Sequence, residues 1–199
     1  MTERPDRRRL SREELLSFEG AFVDDLFDDR TRLLFVGINP GLWTAAVNAH
    51  FARAGNRFWP ALHRAGILPK SLDVTAGMAD TDRELVLDHG IGISNLVPRA
   101  SARADELSRA ELIAGGQRLV DLVTAIRPSV VAILGLTAYR QAFGRRDAVA
   151  GAQPDSIGPS ELWVLPNPSG LNAHETVDSL AGAYRATAVA AGLAVNSTR

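Results

Sequence analysis

The chain has 199 residues, of which 46% are hydrophobic and 23% are charged, a balance typical of one globular domain with a sizeable core. It contains no cysteine, which excludes disulfides, thiolate zinc sites, a cysteine nucleophile and cysteine-ligated iron–sulfur clusters. A formal net charge of −1 gives no general electrostatic attraction to nucleic acid, so binding of that kind would need a local basic patch.

Residues 1–30 are predicted to form an N-terminal tail and one helix, and residues 31–199 a single domain. Four arginines lie within the first nine residues, and a solvated terminus is favoured over a phosphate contact for them. Ser11 followed by Glu14 matches a capping box and predicts a helix through about Leu26. No apolar stretch reaches the roughly 20 residues of a membrane span, and the first residues lack an apolar signal core, so we expect a soluble, cytoplasmic protein.

Short apolar strands alternate with helices along the rest of the chain. Leu33–Val36 shows no polar alternation, which predicts a strand buried on both faces, and a polar, alanine-rich loop is expected after it. Asn56 is expected to cap a helix, and Thr81 with Glu84 predicts another helix that ends at Gly90. The remaining predicted strands are IGISNLV, VVAILG and ELWVLP, and the remaining helices are Arg109–Ile126, LTAYRQAFG and about 174–191. This alternation predicts an α/β fold, a three-layer sandwich whose mainly parallel central sheet is flanked by helices.

Three of the loops that follow predicted strands have unusual sequences. They are GINPG at Gly37–Gly41, Ser94 with Asn95, and PNPSGLNAH at Pro166–His174. Each loop taken alone fits ordinary turn chemistry, because turns favour Gly, Pro, Asn and Ser. In such a fold, however, all three would open on one edge of the sheet, where ligands bind beyond the carboxyl ends of the strands.

Several familiar site types do not match these loops. GINPGLW lacks the Lys-Ser/Thr of a phosphate-binding loop and is not Gly-x-Gly-x-x-Gly. Ser169 lies in Pro-Ser-Gly and not in a Gly-x-Ser-x-Gly elbow. The four histidines show no metal-ligand spacing, so we predict no metal and no cofactor. The residues that remain are amides, backbone groups and aromatic rings, which can hold a flat polar ring and orient water.

The segments GINPGLWTAAVNAHFARAGNRFW and WVLPNPSGLNAH resemble the mismatch-specific uracil-DNA glycosylases, the bacterial relatives of thymine-DNA glycosylase. The resemblance runs from about Leu33 to the neighbourhood of Tyr184 and includes NLVPRASARADELSRAEL, GGQRL, AILG and AYRQAF. It implies an enzyme that flips a damaged base out of DNA and hydrolyses the N-glycosidic bond through an oxocarbenium-like sugar. Asn39 would then hold the attacking water.

The same resemblance implies a pocket for the flipped base. Phe51 corresponds to the family's stacking aromatic residue, and Ile38 would contribute backbone hydrogen bonds and an apolar face to the same ring. Gly41 would leave the pocket floor open beside the C5 edge of the base. Gly37 and Asn95 complete the predicted pocket.

The third loop would act on the DNA duplex. By resemblance, Gly170, Leu171 and Asn172 form a wedge that fills the hole left by the flipped base, with Leu171 as the apolar plug. Backbone groups of the wedge would pair with the orphaned guanine. Asn167 would brace this loop or contact a phosphate, and Ser169 would contact DNA.

Some family members carry a lysine in place of Asn95 and an arginine in place of Ala173, so positive charge near DNA would have to come from elsewhere. The candidates are Arg53, Arg57, Arg99 and Arg103. A second question is the base, because an amide does not accept the proton of water as a carboxylate does. Asp88, seven residues before Asn95, is a candidate to assist the water, and the alternative for it is a solvated helix end.

The predicted function is excision of uracil and other damaged or mismatched pyrimidines, especially opposite guanine, from double-stranded DNA in base excision repair. The enzyme is expected to act as a monomer. Two alternatives are left open at this point. The chain could be a non-catalytic binder of mismatched or abasic DNA, or an α/β nucleotide- or nucleoside-binding protein that never meets DNA.

Overall fold

The computed structural model describes residues 10–196. The arginine-rich tail predicted at the start of the chain therefore lies outside the described residues, and the account below concerns residues 10–196 alone.

A five-stranded sheet forms the centre of the fold. Its strands are β1 (Leu33–Gly37), β2 (Ile91–Asn95), β3 (Val130–Leu134), β4 (Gly151–Ile157) and β5 (Ser160–Leu165). Their spatial order is β2-β1-β3-β5-β4, and only the β4–β5 pair is antiparallel among the described strands. Gly37 pairs with Asn95, so the carboxyl ends of β1 and β2 lie side by side.

Helices cover both faces of this sheet. One face packs against α3 (Phe58–Arg64), α4 (Asp80–Asp88) and α7 (Val177–Ala190), and the other against α5 (Arg109–Ile126) and α6 (Leu136–Phe143). Alternate residues of β1 serve the two cores, because successive side chains of a strand point to opposite faces. The predicted three-layer α/β sandwich with a mainly parallel sheet is confirmed.

Capping residues explain where the two longest helices begin. Helix α5 has the predicted bounds: the Ser108 hydroxyl accepts from the Glu111 amide at 3.2 Å, and the Glu111 carboxylate accepts from the Ser108 amide at 2.9 Å. Helix α7 begins later than the sequence suggested, because Thr176 forms a capping box with Ser179 and fixes the first helical residue at Val177.

The first helix is much shorter than predicted. Helix α1 spans only Arg12–Leu16, whereas the sequence suggested a helix through about Leu26. The reason is tertiary: Phe22 forms a β-bridge with Arg99, and Leu26 forms one with Ile93. These bridges hold the chain extended, so this segment lies beside the carboxyl edge of the sheet.

Three further local predictions differ from the structure. Ala79 is the N-cap of α4, and Thr81 lies inside its first turn. A short helix, α2 (Leu42–Ala46), occupies part of the expected alanine-rich loop. Strand β4 was not predicted, because its residues are mostly exposed and include Pro154, which edge strands tolerate but buried strands do not.

Candidate active site

A cavity of about 590 Å³ opens at the carboxyl edge of the sheet, beyond the ends of β1 and β2. The three strand-end loops singled out in the sequence meet here, together with residues 50–56 and 101–105. The cavity lining includes most of the predicted site residues, namely Gly37, Ile38, Asn39, Gly41, Phe51, Asn95, Asn167, Ser169 and Leu171. Gly170 and Asn172 flank Leu171 in the same loop.

The side chain of Asn39 is held in one orientation by its own amide hydrogens. Its Nδ2 donates to Ser101 Oγ at 2.8 Å and to the carbonyls of Arg99 and Pro40, each at 3.2 Å. Ser101 is buried and donates its hydroxyl hydrogen to the Arg103 carbonyl at 2.7 Å, so its oxygen is left to accept from Asn39. No described residue donates to Asn39 Oδ1, and this acceptor is therefore available to the cavity.

Gly37 brings two of the predicted pocket residues together. A Cβ atom at position 37 would lie 2.5 Å from Asn95 Oδ1 and 3.4 Å from Phe51 Cζ. The first distance is too short for any side chain, so the absence of one allows Asn95 and Phe51 to approach the same point. Asn95 Oδ1 thus lies beside the Phe51 ring at the floor of the cavity.

Phe51 belongs to a stack of aromatic rings that reaches into the core. Its ring stacks on Phe58 with centroids 4.0 Å apart, and Phe58 in turn contacts Phe35 and Tyr184 edge-on in the core. The backbone of Phe51 has φ of 57°, a left-handed conformation that is costly for a bulky residue. The packing behind the ring holds this conformation and gives the cavity a rigid aromatic wall.

His50, the residue before Phe51, is a buried polar side chain at this site. Only 4% of it is exposed, and burial lowers the pKa of its imidazole, with the nearby Arg83 charge acting in the same direction. Its Nε2 lies 2.9 Å from the Asp24 carbonyl, and its Nδ1 lies 3.4 Å from Asn95 Nδ2. The imidazole therefore connects the floor of the cavity to the segment that precedes β1.

Ile38 and Gly41 line the cavity in different ways. The carbonyl of Ile38 accepts from the Val97 amide at 2.9 Å, so that group is already used within the protein, while the side chain contributes an apolar surface. Gly41 is exposed at the start of α2, and a Cβ atom there would meet nothing within 4 Å. Its position leaves the entrance to the cavity wide.

The predicted wedge forms a compact loop with an exposed apolar tip. Leu171 is 75% exposed, although most leucines in the chain are buried. Asn167 braces the loop: its Oδ1 accepts from the Ser169 amide at 2.9 Å, and its carbonyl accepts from Asn172 Nδ2 at 3.0 Å. These two hydrogen bonds brace the loop from within the protein.

Arg57 holds the wedge loop from within the protein. Its Nη1 donates to the carbonyls of Ser169 at 2.9 Å and Asn172 at 3.0 Å, and its backbone amide donates to the Pro168 carbonyl at 3.0 Å. A Cβ atom at Gly170 would lie 2.6 Å from the Gly55 carbonyl, so the two loops are in close contact. Arg57 is therefore engaged with the loop that carries Leu171.

The other three candidate arginines differ in their partners. Arg99 Nε donates to Glu111 at 2.5 Å, and this bond together with the hydrogen bonds from Ser108 lowers the pKa of Glu111 to about 2. Arg103 forms an ion pair with Asp105 at the rim of the cavity. Arg53 lines the cavity, is exposed, and its side chain forms no hydrogen bond or ion pair with the described residues.

Asp88 lies at the wrong end of β2 for the role considered for it. It is the last residue of α4 and precedes β2, whereas the cavity lies beyond the end of that strand. Its carboxylate pairs with Arg30 at 2.5 Å, and its side chain is 56% exposed. The structure does not bring Asp88 to the site, and the solvated helix end fits its position.

Sequence reasoning missed two residues that organise the cavity, Ser101 and His50. Ser101 follows Asn95 by six residues, inside the segment NLVPRAS that carries part of the resemblance, and His50 directly precedes the stacking aromatic residue. Both are buried polar residues in loops. Their positions beside predicted site residues were the available signal.

The fold and the cavity define an α/β enzyme-like domain in which amides and an aromatic wall surround space for a flat polar ring. The family model of the uracil DNA glycosylase superfamily matches residues 25–189, and the chain belongs to that superfamily. It is a DNA glycosylase, a DNA-binding hydrolase of base excision repair. The match includes every strand-end loop that lines the cavity.

Two observations on the described residues concern other site types. Within residues 10–196, no helix has both the length and the apolar character to cross a membrane. Over the same residues, no group of three or more His, Cys, Asp and Glu side chains is arranged to hold a metal ion.

Proposed function

We propose that this glycosylase removes uracil, and other damaged or mismatched pyrimidines, from double-stranded DNA, most efficiently opposite guanine. The observation that carries the proposal is the fixed amide of Asn39, whose Oδ1 is unpartnered among the described residues and whose loop borders the Phe51 ring. A flipped base can stack on Phe51, and an amide oxygen can hold a water beside it.

The chemistry follows from how charge separates between the departing base and the sugar. The N-glycosidic bond breaks with its electron pair going to the base, and the sugar becomes oxocarbenium-like before water adds to it. Asn39 Oδ1 accepts a hydrogen bond from that water and directs an oxygen lone pair toward the sugar carbon. Because an amide does not take up the proton, Asn39 orients the water and does not deprotonate it.

The cavity supplies little further help to the water. Among the described residues that line it, the one carboxylate is Asp105, and its charge is paired with Arg103. The rate should then depend on how well the departing base carries negative charge. Uracil is expected to leave faster than cytosine for this reason.

The wedge accounts for the proposed action on duplex DNA. The exposed Leu171 can enter the stack where the base has left, as apolar side chains do in other proteins that deform DNA. The loop that carries it is braced by Asn167 and Arg57, so the plug is presented on a fixed support. Preference for guanine opposite the lesion would come from backbone groups of this loop.

The test is release of uracil from a duplex with uracil opposite guanine, measured as abasic sites under single-turnover conditions. We expect release by the parent protein, loss of release in Asn39→Ala, and an unchanged rate in the matched control Asp88→Asn. EDTA should leave the rate unchanged, and activity that EDTA abolishes and zinc or magnesium restores would contradict the predicted metal-free mechanism.

Two results would favour the alternatives. Tight, lesion-dependent binding without abasic sites would indicate a non-catalytic DNA binder. Affinity for free nucleosides without a salt-sensitive affinity for DNA would indicate a protein that never meets DNA.

A further inference from the structure

His50 occupies a position that no part of the proposed mechanism uses. It is buried behind the cavity and contacts two different elements, the Asp24 carbonyl through Nε2 and the Asn95 amide through Nδ1. Its own carbonyl also accepts from Trp59 Nε1 at 3.0 Å, which ties the residue to α3. A buried polar side chain with two such contacts calls for a physical account.

The two contacts decide where the imidazole carries its hydrogen. A backbone carbonyl only accepts hydrogen bonds, so Nε2, at 2.9 Å from the Asp24 carbonyl, must carry the hydrogen. Burial keeps the ring neutral by lowering its pKa, and the Arg83 charge acts in the same direction. The charges of Asp24 and Asp25 oppose this lowering. Nδ1 is therefore an acceptor.

This tautomer fixes the orientation of Asn95. Only the NH₂ end of an amide can face an acceptor, so Asn95 Nδ2 points to His50 and Oδ1 points the other way. The oxygen lies beside Gly37 and the Phe51 ring, at the floor of the cavity. Arg118 donates to the backbone carbonyl of Asn95 and so holds the end of β2.

We infer that His50 is a positioning residue that locks the Asn95 amide with its oxygen toward the cavity, where this oxygen can accept from the ring N–H of a flipped base. The inference rests on the proposed function, and what it adds is the residue that sets the orientation of the Asn95 amide. Neutral lactam rings such as uracil offer a ring N–H on the edge that would face Asn95 Oδ1. Cytosine offers an unprotonated ring nitrogen there, which would face Asn95 Oδ1 without a hydrogen between them.

The first test uses the free protein and does not require activity. Nitrogen NMR of labelled histidine should show an unprotonated, hydrogen-bonded Nδ1 on His50 at neutral pH. Asn95→Leu should shift this resonance to that of a free acceptor, while Asn39→Ala, which changes another amide in the same cavity, should not. A hydrogen on Nδ1, or a resonance that ignores Asn95→Leu, would overturn the inference.

The second test measures the selectivity for a base with a ring N–H. The ratio of single-turnover rates on uracil and on 3-deazauracil, which has C–H in place of the ring N–H, cancels effects common to both bases. We expect this ratio to fall about tenfold in Asn95→Ala, the value of one hydrogen bond, and by a similar factor in His50→Phe. The double variant should fall no further, because the two residues act through one contact.

The outcomes separate this inference from the proposed function. The inference would be overturned if the losses in the rate ratio of the two single variants multiply in the double variant. It would also be overturned if His50→Phe leaves the rate ratio unchanged. Either result would count even if the parent protein releases uracil. A parent protein that releases no uracil would overturn the proposed function and the selectivity, while the NMR result would still decide whether His50 locks Asn95. Leu171→Ala serves as the control, since it should leave the ratio unchanged.

Discussion

The amide nitrogen of Asn39 donates to the hydroxyl oxygen of Ser101 at 2.8 Å, joining the loop after β1 to the loop after β2. Ser101 can accept this bond because it gives its own hydrogen to the Arg103 carbonyl. The two residues are 62 positions apart in the chain, and together they decide which end of the Asn39 amide faces the cavity. The first two predictions follow from this pair.

Asn39→Ala should lower the single-turnover rate of uracil release by about 10²–10³, the usual effect of removing one preorganised polar group at a reaction centre. DNA affinity should change little, because the amide is proposed to hold water and not phosphate. Rates and affinities on the same duplex, with uracil opposite guanine, provide the measurement. Collapsed affinity with a normal rate on bound DNA would mean that Asn39 is structural.

Ser101→Ala should have a smaller effect of the same kind. The Asn39 amide would keep its carbonyl partners at 3.2 Å but lose its shortest hydrogen bond, so we expect about a fivefold lower rate from roughly 1 kcal/mol of lost orientation. Ser101→Thr, which retains the hydroxyl, is the matched variant and should keep most of the rate. Equal losses in the two variants would point to packing as the cause.

Leu171→Ala should impair activity on paired DNA more than on unpaired lesions. The side chain is proposed to offset the few kcal/mol that unstacking and unpairing cost, and this cost is smallest in a single strand. Rates on uracil opposite adenine, opposite guanine and in a single strand give the comparison. Thermal stability should hardly change, because the side chain is 75% exposed. A melting temperature lowered by several degrees would instead mean that Leu171 packs against the core.

Arg53 and Arg57 should differ in the salt dependence of DNA binding. Arg53 is exposed at the cavity without a side-chain partner among the described residues, so Arg53→Ala should reduce the slope of log affinity against log salt by about 0.9. Arg57 donates to the wedge carbonyls, so Arg57→Ala should leave the slope unchanged and lower the rate on duplex DNA, as is expected of Leu171→Ala. A reduced slope in Arg57→Ala would make it a phosphate contact.

The neutral, buried His50 should make folding stability depend on pH. Burial lowers its pKa in the folded state, while the unfolded chain has a value of about 6.5, so the unfolded state binds the additional proton first. The contribution of neutral His50 to the free energy of unfolding is therefore fully present above pH 6.5. This contribution is lost as the pH falls toward the folded-state pKa, by up to about 1.4 kcal/mol per pH unit. Urea unfolding at pH 7, 6 and 5 tests this.

His50→Phe provides the comparison for that measurement. The other three histidines are common to both proteins, so the difference in pH dependence isolates His50. The variant should be less stable at pH 7, where it lacks the hydrogen bonds, and should lose less stability between pH 7 and 5. Parallel curves for the two proteins would show that His50 does not resist protonation.

Local signals in the sequence were sufficient for the four parallel strands of the sheet and for α5. Buried parallel strands appear as uninterrupted apolar runs, and the capping box of Ser108 and Glu111 marks a helix start without tertiary information. The predicted parallel sheet then placed the three strand-end loops at one edge. Helix α1 was misjudged because β-bridges to distant residues override its local preference.

Roles that depend on contacts between loops could not be read in this way. Asp88 is near Asn95 in the sequence, but β2 separates them, and five strand residues span about 16 Å. His50 shows the converse, because it contacts Asn95 across 45 positions of the chain. Separation in the sequence therefore did not indicate distance in space. A strand places residues that are close in the sequence at its two ends, and loops bring residues that are distant in the sequence to the same edge of the sheet.

The two glycines of the first loop set very different constraints on engineering. A Cβ atom at Gly37 would lie 2.5 Å from Asn95 Oδ1, so a side chain at this position would displace the Asn95 amide from the cavity floor. A side chain at Gly41 would meet no atom of the protein within 4 Å. The size limit for incoming bases could therefore be adjusted at Gly41 alone, leaving the amide proposed to hold water, the aromatic wall and the fold as they are.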